Sequence, residues 1–118
     1  MITQEDIDAF KIVDITPLDY SYWVEDKIIT EGDDRLVENI LGLVGEAGEV
    51  SEKIKKYRRD KTKISQKEII KELGDVVFYA TALSNYFYSN LSEVMQTNMD
   101  KLNDREKRGM IKGSGDNR

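Results

Sequence analysis

Apolar side chains recur at alternating steps of four and three through two long stretches of this chain, the spacing of a single helical face. Leu36, Ile40, Leu43, Ala47, Val50, Ile54 and Tyr57 form one such row. They predict a helix from about Asp34 to Arg59. Ile69, Leu73, Val76, Ala80, Leu83 and Phe87 form the next row, opened by Ser65-x-x-Glu68 as a capping box. Lys61-Thr62-Lys63 makes the turn between the two. Upstream, Thr16 is placed to cap a helix with Pro17 at its first position and Asp19 favouring its dipole. That helix carries Tyr20, Trp23, Val24 and Ile28 and is expected to end near Gly32. Downstream, Asn90-x-x-Glu93 caps a last helix with Val94, Met95, Met99 and Leu102 on its apolar side. Residues 1–15 read two ways: irregular, or a short helix capped at Thr3, supported by Glu5 and Asp6, and carrying Ile7, Phe10 and Ile12.

The expected fold is therefore all-α, a helical hairpin plus flanking helices forming a four-helix-bundle core. The two long seams exceed what flanking helices cover, so homo-oligomerisation, as a homodimer or homotetramer, is expected to complete it. With one proline in 118 residues, little interrupts the helices. Residues 1–110 read as a single domain and 111–118 as a flexible polar tail.

Charge and composition then remove alternatives. Hydrophobic residues are 39% and charged residues 35% of the chain, with a net charge of −5. A surface that tracks nucleic acid is normally basic, so nucleic acid is not the expected partner. No run approaches the roughly 18 apolar residues of a membrane span, and the acidic start MITQEDID lacks the basic opening of a signal peptide. A membrane partner is not expected, and with no cysteine in the chain a reducing cytoplasm is the expected compartment. There is no cysteine and no histidine. That removes thiolate and imidazole zinc sites, Glu-x-x-His di-iron bundles, and Ser–His or Cys–His nucleophiles. Oxygen ligands are left, and they favour Mg²⁺, Mn²⁺ or Ca²⁺.

Two acidic pairs supply such oxygens. Glu46 and Glu49 share a face of one long helix, as Glu72 and Asp75 do on the other. Each pair lies one position before its apolar row, so both acidic rows flank their seams on the same side. Measured from the turn at roughly 1.5 Å per residue, the pairs differ by only about 3 Å in level along an antiparallel hairpin. Alone, such a pair is usually surface charge. Matched phase and level change that reading, because facing carboxylates repel unless a divalent cation neutralises them. Gly42, Gly45, Gly48 and Gly74 beside them, each costing about 1 kcal/mol in a helix, imply close backbone approach or space for a ligand. Tight helix packing is the competing reason.

GLVGEAGEVSEKIKK followed by EIIKELGDVVFYATAL resembles the MazG family of nucleoside triphosphate pyrophosphohydrolases, from about Trp23 to Arg108. Glu46-x-x-Glu49, residues 50–71 as spacer, and Glu72-x-x-Asp75 match its two-block motif. The resemblance implies that Glu46, Glu49, Glu72 and Asp75 bind Mg²⁺, with Mn²⁺ as a substitute, and that a nucleoside triphosphate is cleaved to the monophosphate and pyrophosphate. Glu46 or Glu49 is then the catalytic base that orients or deprotonates the attacking water. Tyr79 matches a position beside the nucleotide in related enzymes, or is a core-edge aromatic. Asn98 and Lys101 resemble an Asn-x-x-Lys stretch that meets phosphates or base. Trp23 resembles a base-stacking aromatic, or belongs to the core. Lys53 meets a phosphate or pairs with Glu49 one turn away. Arg105, with Lys107 and Arg108, reaches phosphate or forms a solvated helix end. Two rival readings are an adaptor whose acidic face binds a basic partner and a phosphoribosyl-ATP pyrophosphatase-like enzyme.

Overall fold

The computed structural model describes residues 1–10, 13–61 and 63–110, all of it helix, turn or extended connection with no strand among them. The helices are α1 (Gln4–Asp8), α2 (Pro17–Lys27), α3 (Gly32–Asp60), α4 (Gln66–Tyr86) and α5 (Leu91–Lys107). Ile12, Thr62 and the expected tail at 111–118 lie outside the described residues.

Capping chemistry sets most of the helix starts. The Thr3 Oγ1 accepts the Asp6 N–H at 3.1 Å and the Asp6 carboxylate accepts the Thr3 N–H at 2.9 Å, which makes the short α1. Thr16 caps α2 through the Asp19 N–H at 3.1 Å, with Pro17 next in line. Asn90 Oδ1 caps α5 through the Glu93 N–H at 3.0 Å. At α4 only half of the expected box forms. Ser65 Oγ accepts the Glu68 N–H at 3.3 Å, while the Glu68 carboxylate turns toward Lys53 instead.

Helix α2 stops at Lys27, short of the Gly32 expected. Ile28, Ile29 and Thr30 are β-branched and leave the helix for an extended link. Gly32, at φ +59°, instead turns the chain into α3, a left-handed conformation that glycine adopts without strain. From there α3 runs unbroken through Gly42, Gly45 and Gly48.

Helices α3 and α4 form the hairpin, α2 lies across α4, and α5 packs on α2 and α4 but not on α3. Among the described residues α1 packs against none of the other helices. Ser21 pins α2 down: its Oγ donates to the Pro17 carbonyl at 2.8 Å and accepts the Leu91 N–H at 2.9 Å, and its own carbonyl accepts Asn85 Nδ2 at 3.0 Å. Arg35 joins three helices. It forks onto both Glu25 carboxylate oxygens at 2.7 Å, donates to the Ala82 carbonyl at 3.2 Å, and lies 5.9 Å from the Tyr86 ring centre.

The apolar core of the single chain is small. Val24 and Ala82 are its fully buried apolar residues, and Ser21, Asn39, Thr81, Ser84 and Arg105 are buried beside them. The accessible surface is 9653 Å², against about 6,600 Å² for a compact monomer of this size. The apolar rows read from the sequence account for part of the difference. Leu36, Leu43 and Val50 are half-buried, but Ile40, Ile54, Tyr57, Leu73, Phe87, Val94, Met95 and Met99 are exposed. The face of α3 that meets α4 is centred on Arg35, Asn39, Gly42 and Glu46, about one residue, or 100°, from the expected row. Glu46 and Glu72 are thus half-buried in the hairpin seam and do not flank it as expected.

Candidate metal centre and nucleotide site

Carboxylate oxygens of Glu46, Glu72 and Asp75 lie within 4.8 Å of one another across the hairpin. Oxygen ligands of one Mg²⁺ stand up to about 4.2 Å apart and those of Ca²⁺ somewhat further, so these side chains fit a hard divalent cation with small rotations. Desolvation in the seam raises the Glu46 carboxyl above its ordinary value, helped by a carboxyl–carboxyl hydrogen bond with Glu72 and by the negative charges of Asp75, Glu72 and Glu49. Glu49 is exposed, one turn on, outside the three-oxygen cluster. Its charge still reaches Glu46.

Lys53 does not fold back on Glu49. Its Nζ stands 3.9 Å from Glu68 and 4.0 Å from Glu72 on the opposite helix. Tyr79 packs flat on the α3 backbone: a Cβ at position 42 would collide with its ring. Gly42 is therefore the close approach that the glycines implied, and Tyr79 is the side chain that packs against it. Space is open around Gly45, Gly48 and Gly74.

An aromatic group borders the acids. Trp23, half exposed, stacks on Tyr20 at 5.6 Å between ring centres and meets the edge of Phe78 at 6.1 Å, with Lys27 Nζ 5.7 Å from its ring. Burial, with the charge of Asp75, raises the Tyr20 phenol, so Tyr20 sits beside the carboxylate centre. Sequence reasoning took Tyr20 only as an apolar position. The signal was its spacing from Trp23, which puts both rings on one side of α2. Tyr20 also lines an apolar groove of about 460 Å³ with Pro17, Val77, Leu91 and Met95.

Asn98 and Lys101 lie apart from this centre. They line a cleft of about 380 Å³ on α5 with Ser89, Glu93, Val94 and Thr97, and none of the four acids borders it. Arg105 is neither at a solvated end nor turned outward to phosphate. Only 4% of it is exposed, whereas Asp104, Glu106 and Lys107 around it face solvent. Arg108 pairs with Asp104 at 2.9 Å.

Residues 35–110 match the MazG nucleotide pyrophosphohydrolase domain, so the chain belongs to that family. The chain is also similar to "Gene 37 protein" of Mycobacterium phage L5, 49% identical over 82 residues that cover 66% of this chain and 72% of the relative. That name specifies no activity. No solved structure gives a significant match. No helix among the described residues is long and apolar enough to cross a membrane.

Proposed function

We propose that this protein hydrolyses nucleoside triphosphates, (d)NTP and water giving (d)NMP and pyrophosphate, at a Mg²⁺ centre held by Glu46, Glu49, Glu72 and Asp75. The observation that carries this is the meeting of Glu46, Glu72 and Asp75 oxygens within 4.8 Å in a chain of this family. Bound there, the cation would screen carboxylate and phosphate charge and lower the pKa of water at the site. Glu49, outside the three-oxygen cluster, is free to orient the attacking water and take its proton. The bridge between the α- and β-phosphates breaks: attack at the α-phosphorus expels pyrophosphate with the bridging oxygen and puts the water oxygen on the monophosphate, whereas attack at the β-phosphorus expels the monophosphate with the bridging oxygen and puts the water oxygen on pyrophosphate. Lys53 answers phosphate charge, and Trp23 and Tyr20 offer stacking faces for the base.

The working unit in this reading is a homodimer or homotetramer. Support comes from exposed Val37, Leu41 and Val44 along one side of α3 and exposed Val94, Met95 and Met99 on α5, patches that a monomer rarely leaves to water. A second copy is also the simplest route by which Asn98 and Lys101 reach a triphosphate held at the acids.

Pyrophosphate release from the eight ordinary (d)NTPs and a few modified ones, with and without Mg²⁺, tests the assignment. Release from none of them in the presence of Mg²⁺ would overturn it.

A further inference from the structure

The hairpin end beside the acids carries a charge opposite to that of the rest of the molecule. Residues 53–63 hold seven Lys and Arg against one Asp, a local +6 in a chain of −5, which leaves −11 elsewhere. Some of these cations are committed. Arg59 forks onto Asp60 at 2.8 and 3.1 Å, and Lys56 lends its charge to the same carboxylate. Lys53, Lys56 and Lys63 nevertheless line a cavity of about 280 Å³, whose wall also includes Tyr57, Ser65 and Glu68 and the apolar Ile64 and Ile69. Its volume is ample for two linked phosphate groups.

This cavity adjoins the metal centre. Lys53 stands on its rim and faces Glu72 at 4.0 Å, and Glu72 is one of the three clustered acids. At 3.9 and 4.0 Å its ion pairs with Glu68 and Glu72 are too long to be hydrogen bonds, so its N–H donors are open to a stronger acceptor. Ser65 Oγ is already the acceptor for the Glu68 N–H, which leaves its own O–H to donate. A single Glu68 is the only acid on the lining. Three ammonium groups around one carboxylate favour a multiply charged anion over a neutral ligand.

We infer that the cavity lined by Lys53, Lys56 and Lys63 is the seat for the terminal phosphates, which become the departing pyrophosphate. This rests on the hydrolase reading above and extends it by giving the leaving group its own residues. The acids hold the reacting end through the cation, and the lysines draw the far end along the hairpin. A substrate with one phosphate reaches the acids but not the lysines, so the cavity makes a polyphosphate tail part of recognition. The same patch draws anions in from solution, so kcat/KM falls as salt rises.

Titration calorimetry with inorganic pyrophosphate and Mg²⁺, together with steady-state kinetics, tests the seat. Lys56→Ala/Lys63→Ala is the test variant. Lys55→Ala/Lys67→Ala, which removes equal charge from the same hairpin outside the cavity, is the control. An ionic hydrogen bond to phosphate is worth about a factor of ten in affinity. The test variant should bind pyrophosphate at least about tenfold more weakly and raise KM for the triphosphate in step, with kcat within about threefold and the control within about twofold. Unchanged pyrophosphate affinity in the test variant, or an equal loss in the control, overturns the seat while an active wild type keeps the hydrolase standing. A wild type that binds pyrophosphate through these lysines but cleaves no triphosphate counts against the hydrolase instead.

Discussion

The ring of Tyr79 fills the space that a side chain at Gly42 would need. Gly42→Ala gains about 1 kcal/mol of helix propensity but overpacks the hairpin, at a cost of about 1–3 kcal/mol. The net expectation is a lower urea midpoint, partly restored by adding Tyr79→Leu. Gly48→Ala meets nothing within 4 Å and should be neutral or stabilising. Equal effects at the two positions would refute this account of the seam.

The carboxylates divide activity from stability. Glu49→Ala and Asp75→Ala should each lose at least about a hundredfold in Mg²⁺-dependent pyrophosphate release while their far-ultraviolet circular dichroism stays helical. Full activity in either would remove that residue from the centre.

Glu46 should respond to pH in the sense opposite to an ordinary paired acid. Its carboxyl is raised in the folded chain, mainly by desolvation, so the native state holds this proton more tightly than the unfolded one. Stability without metal therefore falls as pH rises from the ordinary value of 4.5 through the raised one. Glu46→Gln should raise the metal-free melting temperature at pH 7 and diminish the stabilisation that Mg²⁺ confers. Thermal scans at two pH values, with Mg²⁺ and with EDTA, check both statements.

The Glu25–Arg35 fork behaves the other way. Its hydrogen bonds from Arg35 hold the Glu25 carboxyl below 4.5, so its contribution is complete above that value and is lost as pH falls through the depressed one. Glu25 is about half exposed, and solvent screening limits the effect to about 1 kcal/mol. Glu25→Gln should lose about that much at pH 7, and the difference from wild type should vanish in strong acid.

The exposed α3 row predicts self-association. Sedimentation at micromolar concentration should give a multiple of the chain mass, and Leu41→Glu/Val44→Glu should reduce it. A stable wild-type monomer would count against the oligomer.

Helix positions were largely legible in the sequence because capping is local: Thr16, Ser65 and Asn90 each bond a backbone N–H three residues on. The pairing of Glu46 with Glu72 and Asp75 was legible too, since helical phase and distance from the turn are arithmetic. What lay hidden was the direction each row faces. An apolar stripe reads alike whether it meets α4 or faces outward, and the row through Ile40 and Ile54 is exposed in the single chain. The expected pairing of Lys53 with Glu49 failed for a related reason. Its neighbour along the helix was visible in the sequence, whereas its partners across the hairpin were not.

Glu46, Glu72 and Asp75 come from two consecutive helices joined by a short turn. The whole acidic cluster therefore lies within one stretch of chain, residues 46–75, and closing it requires only local loops. Such a centre can assemble early, before α2 and α5 have docked. It also confines the chemistry to a hairpin, so chain exchange or drift in the outer helices can alter which molecules are admitted without dismantling the part that reacts.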